Sequence, residues 1–374
     1  MDIKIKEVTT NRELRKFIKF PFRLYKGNEY WVPPIIVEEM KVLRKDKNPF
    51  FEIGEAKYFL AYKDNKIVGR IAGIISNTYI EKVGKNYGRF GWIDFIDDIR
   101  VCKKLLTEVE KWMKSKGMIA LQGPLGFTNF DPQGMLIEGF QEIDTLAGIY
   151  NYSYYSKYIE LCNYKKDIDW IEFIIKKPNT IPEKIIKIAD HVKKEYGYKK
   201  LEIKSKKEMK YYGRELFKLI EMTYKYNFGV MKYSSKQIDM YIEKFLSFIR
   251  KDHIAIIVDK NGKIVAFGIT MPFLSKAFQK ANGHLFPFGL FYIIKAMKNN
   301  DKVELLLIGV NPKLQGKGIN AIIFKELMTI FFNNNVLYAE TNAEVESNHK
   351  IQNQWKLFEK RQHKKRRCYI KKLT

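Results

Sequence analysis

Two kinds of hydrophobic pattern alternate along this chain. Over 56–76 and again over 253–271, a pair of apolar runs flanks two polar residues, Asp64-Asn65 in the first and Asn261-Gly262 in the second. Such runs predict β-hairpins, because Asn, Asp and Gly tolerate the positive φ that a tight turn demands. Both turns lead into Lys-Ile-Val, at Lys66 and at Lys263. Helical stretches precede the hairpins, over 11–20 in the first half and over 208–226 and 235–250 in the second. After each hairpin comes another apolar run (91–96 and 303–310), then a helix, then a strand. The order α-β-β-insert-β-α-β occurs twice. It predicts an α/β fold with a mixed sheet, built as two copies of one unit. The prolines and polar residues of 176–183 set the boundary, giving domains 1–178 and 179–374.

The run 303–310 is continuously apolar, as expected of a strand buried on both faces. A loop with Gly316 and Gly318 follows, and then helical periodicity over 321–332. Strand, glycine loop and helix start together hold phosphate, because the first amides of a helix lack partners and the dipole favours an anion. Lys313 and Lys317 add positive charge. Gly316, Gly318 and Ala321 formally satisfy the dinucleotide pattern G-x-G-x-x-G/A, with Glu340 where a ribose-binding acid belongs. Against this, Pro312 lies in a long gap between strand and first glycine, where a dinucleotide turn is tight. Only 34 residues follow Glu340, too few for the rest of such a domain.

The pattern V-x-P-x-x-Q-x-x-G-x-G/A fits better, met by Val310, Pro312, Gln315 and Gly318, with Asn320 in place of the usual Gly or Ala. It resembles the acyl-CoA pyrophosphate loop of the GNAT acyltransferase superfamily. The resemblance implies two tandem GNAT-like domains and an acyl-CoA-dependent N-acyltransferase that moves an acetyl or longer acyl group to a primary amine. It implies acetyl-CoA or a longer acyl-CoA as donor, with no metal. Ile308, Gly309 and Val310 would lie at the thioester, in the split between strands, and Gln315, Gly316, Lys317, Gly318, Ile319 and Asn320 at the pyrophosphate. The tract 151–173 is similar to the superfamily's closing helix and last strands. Helical spacing is expected over 348–361, with Trp355 and Phe358 on one face, and a final strand over 368–371.

Acyl transfer to an amine needs a base and an oxyanion partner. Glu340, at the end of the strand beside the expected thioester, is the first choice for the base. Glu344, Glu346 and His349 are further candidates. Asn342 and Asn348 are placed to hydrogen-bond cofactor or substrate. The first half has Asp97 and Asp98 where the second has its glycine loop, and carboxylates at a helix start repel a pyrophosphate. That half is read as having lost CoA binding. Its glycine-rich segment 122–134 offers Asn129, Asp131 and Gln133 to an acceptor amine. Serine-triad, metal-ligand and P-loop patterns are absent from the sequence.

Charge adds a second question. The 374 residues carry 68 Lys and Arg against 42 Asp and Glu, a net +26, which attracts anions at long range. Most lysines are spread along the chain and read as solvated surface. A local excess runs over 356–372, with Glu359 as its single acid. A nucleic-acid binder is one alternative, although the tract lacks the interleaved aromatics of single-strand binders. A Fem-type aminoacyl-tRNA-dependent transferase is another, and the CoA-type loop argues against it. The insert 272–301 has an apolar run, 284–294, between Lys276, Lys280, Lys295 and Lys298. It reads as a buried helix over the sheet, or as a membrane-surface or acyl-chain access element. It also resembles the group of bacterial tandem GNAT proteins that includes the ceramide synthases, which implies a lipid amine as acceptor. Three widely spaced cysteines argue against a disulfide framework. With no secretory h-region and no apolar run long enough to span a bilayer, a cytoplasmic protein is expected, or one peripheral to the inner face of the membrane.

Overall fold

The computed structural model describes residues 2–373 apart from Ser247. The chain divides into two compact units. One comprises Met1–Ile171, Leu274–Ile293 and His363–Thr374, and the other Glu172–Phe273 and Ile294–Gln362.

The first unit begins with β1 (Lys4–Glu7), α1 (Asn11–Leu24) and α2 (Ile36–Leu43). Thr10 and Glu13 form a capping box at the start of α1, each satisfying the other's backbone amide. The hairpin β2 (Gly54–Lys63) and β3 (Lys66–Ser76) turns at Asp64 and Asn65, both at positive φ, as the sequence predicts. Next come α3 (Asn77–Val83), β4 (Tyr87–Phe95), α4 (Ile99–Ser115), β5 (Ala120–Gly123), β6 (Met135–Glu138) and α5 (Tyr154–Leu161). Strands β1 to β4 pair antiparallel, and β4 pairs parallel with β5 from Tyr87 to Arg89. The apolar stripe of α4, with Leu105, Val109 and Met113, packs on the sheet and forms the core with Phe90, Phe95 and Tyr155.

Strand β7 (Lys165–Lys176) carries the chain across to the second unit. There follow α6 (Glu183–Tyr196), β8 (Lys199–Lys200), α7 (Lys206–Tyr224), α8 (Ser235–Leu246), β9 (Ile254–Val258) and β10 (Ile264–Pro272). Helix α9 (Ser275–Ala281) belongs to the first unit, and α10 (Gly289–Lys298) leads back. The second unit is completed by β11 (Lys302–Val310), α11 (Ile319–Asn333), β12 (Tyr338–Thr341), β13 (Glu344–Val345) and α12 (His349–Gln352). The last strand is β14 (Lys360–Lys372). Strands β8 to β11 are antiparallel, β11 and β12 parallel. Helix α11 lies between α6 and strands β9 and β10.

The closing strands are exchanged. In the first unit β5 pairs with β14, Tyr369 opposite Gly123, so the end of the chain completes that sheet. In the second, β12 pairs with β7, Glu340 opposite Ile174. The tract 151–173 was expected to close the first half, and β7 instead carries its pairing onward. The helix expected over 348–361 is also shorter. It ends at Gln352, passes through a 3-10 turn (Asn353–Leu357) and gives way to β14. Trp355 and Phe358 still meet one apolar partner, Phe324, at ring distances of 5.6 and 6.2 Å.

The basic tract lies largely on β14 and is paired internally. Arg367 makes a two-pronged contact to Asp169 at 2.8 and 3.0 Å, Lys371 meets Glu110 at 2.9 Å, and Arg366 and Lys364 converge on the buried Asp144. Removing one partner of a buried ion pair leaves the other charge uncompensated, at a cost of about 3–5 kcal/mol. Asp144→Ala, which removes the carboxylate that Arg366 and Lys364 share, is therefore expected to lower the unfolding free energy by up to that amount in urea titrations. Arg100→Ala, at an exposed side chain, should leave the urea midpoint nearly unchanged.

Candidate functional site

The glycine loop of the second unit is built by local hydrogen bonds. The Asn311 amide donates to the Val265 carbonyl at 2.9 Å, and its side chain accepts from the Lys313 amide at 3.1 Å, opening a 3-10 turn (Pro312–Leu314). Gln315 Nε2 reaches back to the Val310 carbonyl at 3.3 Å, which closes the loop on the strand. Gly316 and Gly318 have φ of +80° and +77°, the left-handed region that side-chain-bearing residues avoid. At Gly318 a Cβ would also lie 2.8 Å from Ile188 Cγ2 on α6. Gly318 is the N-cap of α11 and offers no side chain to the first-turn amides, and that turn carries no acid. Lys313 and Lys317 are exposed beside it, and Ile319 is buried. Uncapped amides, a helix dipole and two ammonium groups suit a phosphate-bearing ligand.

The same position in the first unit is closed. Asp98 caps α4, accepting from the Arg100 amide at 3.0 Å and from its guanidinium at 2.9 and 2.7 Å. The Arg100 hydrogen bonds hold the Asp98 carboxyl at about 2, so it stays ionised where a phosphate would need to sit.

Beyond the loop, two strands part. β11 and β12 pair from Lys302–Tyr338 to Leu305–Thr341, and the Asn342 amide adds a last bond to the Leu305 carbonyl at 3.2 Å. A bulge follows, since Ile269 faces Leu307 while Thr270 faces Leu305. Past it, the Ile308 peptide groups find a side chain and not a strand. The Ile308 amide donates to the Tyr224 hydroxyl at 3.2 Å, and that hydroxyl donates to the Ile308 carbonyl at 2.7 Å. Burial pushes Tyr224 up to about 12, with a smaller contribution from the Glu344 carboxylate. Glu344 Oε1 accepts from Trp355 Nε1 at 2.8 Å, and Oε2 is shut from solvent with no hydrogen-bond partner among the described residues. Burial raises the Glu344 carboxyl to about 7.

The other expected site residues are placed as follows. Glu340 is fully buried inside the paired part of β12, opposite Glu304, and forms an ion pair with Lys302. The Lys302 ammonium sits 4.0 Å from the Phe273 ring centroid. Asn342 Oδ1 accepts from the Ala343 amide at 2.9 Å, so it shapes the end of β12. Asn348 caps α12, and His349 is exposed at its start. Glu346 contributes its carbonyl to Gln352 Nε2 at 2.9 Å. Ile308, Gly309 and Val310 run straight into the loop of Gln315 to Asn320, so the structure brings these together in one element. Asn129, Asp131 and Gln133 lie in the first unit. The Asp131 carboxylate accepts from the Thr128 amide at 2.9 Å and is buried, and Phe127 packs on Phe50 and Trp92 at 4.6 and 5.0 Å. That segment is anchored in a core, with Asn129 and Gln133 half-buried. Tyr224 escapes a reading of the sequence, because helical periodicity does not reveal that a residue at a helix end meets a strand 84 residues on.

No protein-family profile matches the sequence. Two curated relatives do. Protein YghO of Escherichia coli K12 is 27% identical over 322 residues, 85% of this chain and 81% of that protein. A bacterial ceramide synthase of Caulobacter vibrioides is 26% identical over 321 residues, 84% of this chain and 82% of that protein. Among solved structures, a tandem GNAT protein from the clavulanic acid biosynthesis pathway superposes with a TM-score of 0.56 at 9% identity, covering 100% of this chain and 99% of that one. A GCN5-related N-acetyltransferase from Sphaerobacter thermophilus gives 0.53 at 10% identity, covering 99% and 96%. The fold is the tandem GNAT fold, and only the second unit carries the glycine loop.

The raised Glu344 carboxyl has a measurable signature. Between its ordinary value near 4.5 and about 7 the folded state binds more protons than the unfolded one, so Glu344 makes the protein less stable as pH rises through that window. Glu344→Gln removes the effect. The variant is expected to gain on the parent chain by up to roughly 3 kcal/mol between pH 5 and pH 8, read from urea unfolding at each pH.

Proposed function

We propose that this protein is an acyl-CoA-dependent N-acyltransferase whose donor site is the second half, 179–374, with 1–178 as a degenerate partner domain. The observation that carries this reading is the joint placement of two features on β11. At its end, uncapped amides of α11 and two lysines suit the CoA pyrophosphate. A few residues earlier, the Ile308 peptide turns its N–H away from β10, where a thioester carbonyl can accept it. The fold, which solved acetyltransferases share, supports the same reaction class.

Glu344 is our choice of base over Glu340. A carboxyl at about 7 with one unpartnered oxygen accepts a proton near neutrality, whereas Glu340 is held by Lys302 in the strand interior. In this mechanism the amine nitrogen attacks the thioester carbon, forming the C–N bond and giving its proton to Glu344. The developing oxyanion accepts from the Ile308 amide. The C–S bond then breaks, the departing CoA thiolate takes up a proton from water, and Glu344 returns its own to solvent. Tyr224 yields the Ile308 amide when donor binds, and its hydroxyl, kept protonated by its raised pKa, stands beside the reacting group as a donor. The acceptor is a primary amine. The name of the Caulobacter relative favours an amine on a lipid and a long acyl chain.

Acyl-CoA donors of graded length are expected to raise the melting temperature by several degrees, and amines to release free CoA from the preferred donor. Gly318→Val should abolish the thermal shift. Glu344→Gln should preserve it while lowering kcat by roughly 10²–10⁴-fold, with the rise of kcat/KM around pH 7 lost. A chain that no acyl-CoA stabilises, and that releases no CoA with any amine, would overturn the proposal.

A further inference from the structure

The segment between α9 and α10 exposes large apolar side chains that the acyl-transfer site does not use. Phe286 is 76% exposed, Phe288 65% and Phe291 62%, followed by Leu290 at 40% and Ile294 at 44%. On α10, Leu290, Phe291, Ile294, Lys295 and Lys298 fall within one side of the helix at 100° per residue, and all are exposed. The opposite side holds Gly289 and Ile293, both buried. The exposed face thus has an apolar half toward its start and an ammonium half toward its end. Helix α9 adds Lys276 and Lys280, one turn apart and both exposed. From 273 to 300 the chain contains four lysines and no Asp or Glu.

The segment is firmly held, so its exposure is not that of a loose loop. Gln279 Nε2 donates to the carbonyls of Glu29 and Trp31 at 2.8 and 3.0 Å, and the Gly283 carbonyl accepts from the Ile36 amide at 3.0 Å. A Cβ at Gly289 would lie 1.9 Å from the His284 carbonyl oxygen, so that glycine lets the chain turn tightly behind the aromatic tip.

We infer that this tip is a docking surface for an anionic lipid bilayer. Exposed phenylalanines and the apolar flank of α10 suit the headgroup boundary, and the lysines that follow on the same helix, in a segment 273–300 without Asp or Glu, suit a negative surface. No helix among the described residues is long and apolar enough to cross a membrane. The inference does not depend on the acyl-transfer reading and is tested without measuring activity.

Because a net charge of +26 draws the whole protein to anionic vesicles, the test must be local. A single environment-sensitive fluorophore is attached at Phe288→Cys and, separately, at Lys111→Cys on the exposed face of α4; the native cysteines are buried. With phosphatidylcholine vesicles containing 30% phosphatidylglycerol, the Phe288 position is expected to blue-shift and brighten at least twofold, and the Lys111 position to stay unchanged. Phe286→Ser combined with Phe291→Ser should weaken partition to these vesicles by at least about tenfold at physiological salt, with the melting temperature retained. Equal signals at both positions, or unaltered partition of the double variant, would overturn the proposal. So would a vesicle-independent dimer in sedimentation that the double variant abolishes, since it would assign the tip to a second copy of the chain.

Discussion

A peptide group taken out of water needs a partner, and wherever two strands of a sheet separate that requirement falls on whatever lies beside the gap. This constraint organises both units. In the first, β4 and β5 part after Arg89, and the Tyr155 hydroxyl takes the Phe95 amide at 2.9 Å and the Phe95 carbonyl at 3.2 Å. In the second, β11 and β12 part after Leu305, and the Tyr224 hydroxyl takes both groups of Ile308. In each copy one tyrosine oxygen thus bonds both the N–H and the C=O of a single residue. The difference lies in what surrounds it. Tyr155 is fully buried, its ring stacked 4.2 Å from that of Phe95, and Tyr154 adds a further bond to the same carbonyl. Tyr224 ends a helix, half-buried, where it can yield. The first copy is closed by packing and by the Asp98 cap, while in the second the tyrosine is only half-buried and no acid stands in the first turn of the following helix.

The charge of the chain divides along similar lines. In the densest basic tract Lys364, Lys365, Arg366, Arg367 and Lys371 lie in the first unit, where Asp144, Asp169 and Glu110 pair with them. What faces solvent at the glycine loop and at the α9–α10 tip is a smaller set of lysines, each next to a feature that explains it: bare helix amides in one place and exposed phenylalanines in the other. Net charge by itself would not have separated these three environments.

Much of the architecture was legible in the sequence, because it rests on local rules. Asp64 and Asn65 announce a hairpin through backbone preference, and Gln315 to Gly318 announce a loop that only glycine can turn. Other features depend on contacts remote in sequence and were not legible. The pairing of Tyr369 with Gly123 has no local signature, and neither does the reach of Tyr224 to Ile308. The choice between Glu340 and Glu344 turned on burial and on Lys302, which spacing alone cannot report. The stretch after Asn348 misled for a related reason. Trp355 and Phe358 are three apart, a helical spacing, yet both reach Phe324 from a 3-10 turn and the extended chain after it.

The exchanged closing strands bear on how the molecule is made. Strand β5 is complete at Gly123, but its neighbour β14 begins at Lys360, more than 230 residues further along the chain (360 − 123 = 237). At ordinary elongation rates the interval is on the order of tens of seconds. Throughout it the first sheet presents an unpaired edge, the kind of edge that recruits foreign strands. Newly made chains therefore pass through a long interval in which a segment already synthesised waits for one that is not. Deletion of 363–372 would leave that edge permanently open, an outcome with consequences far from the site of the deletion.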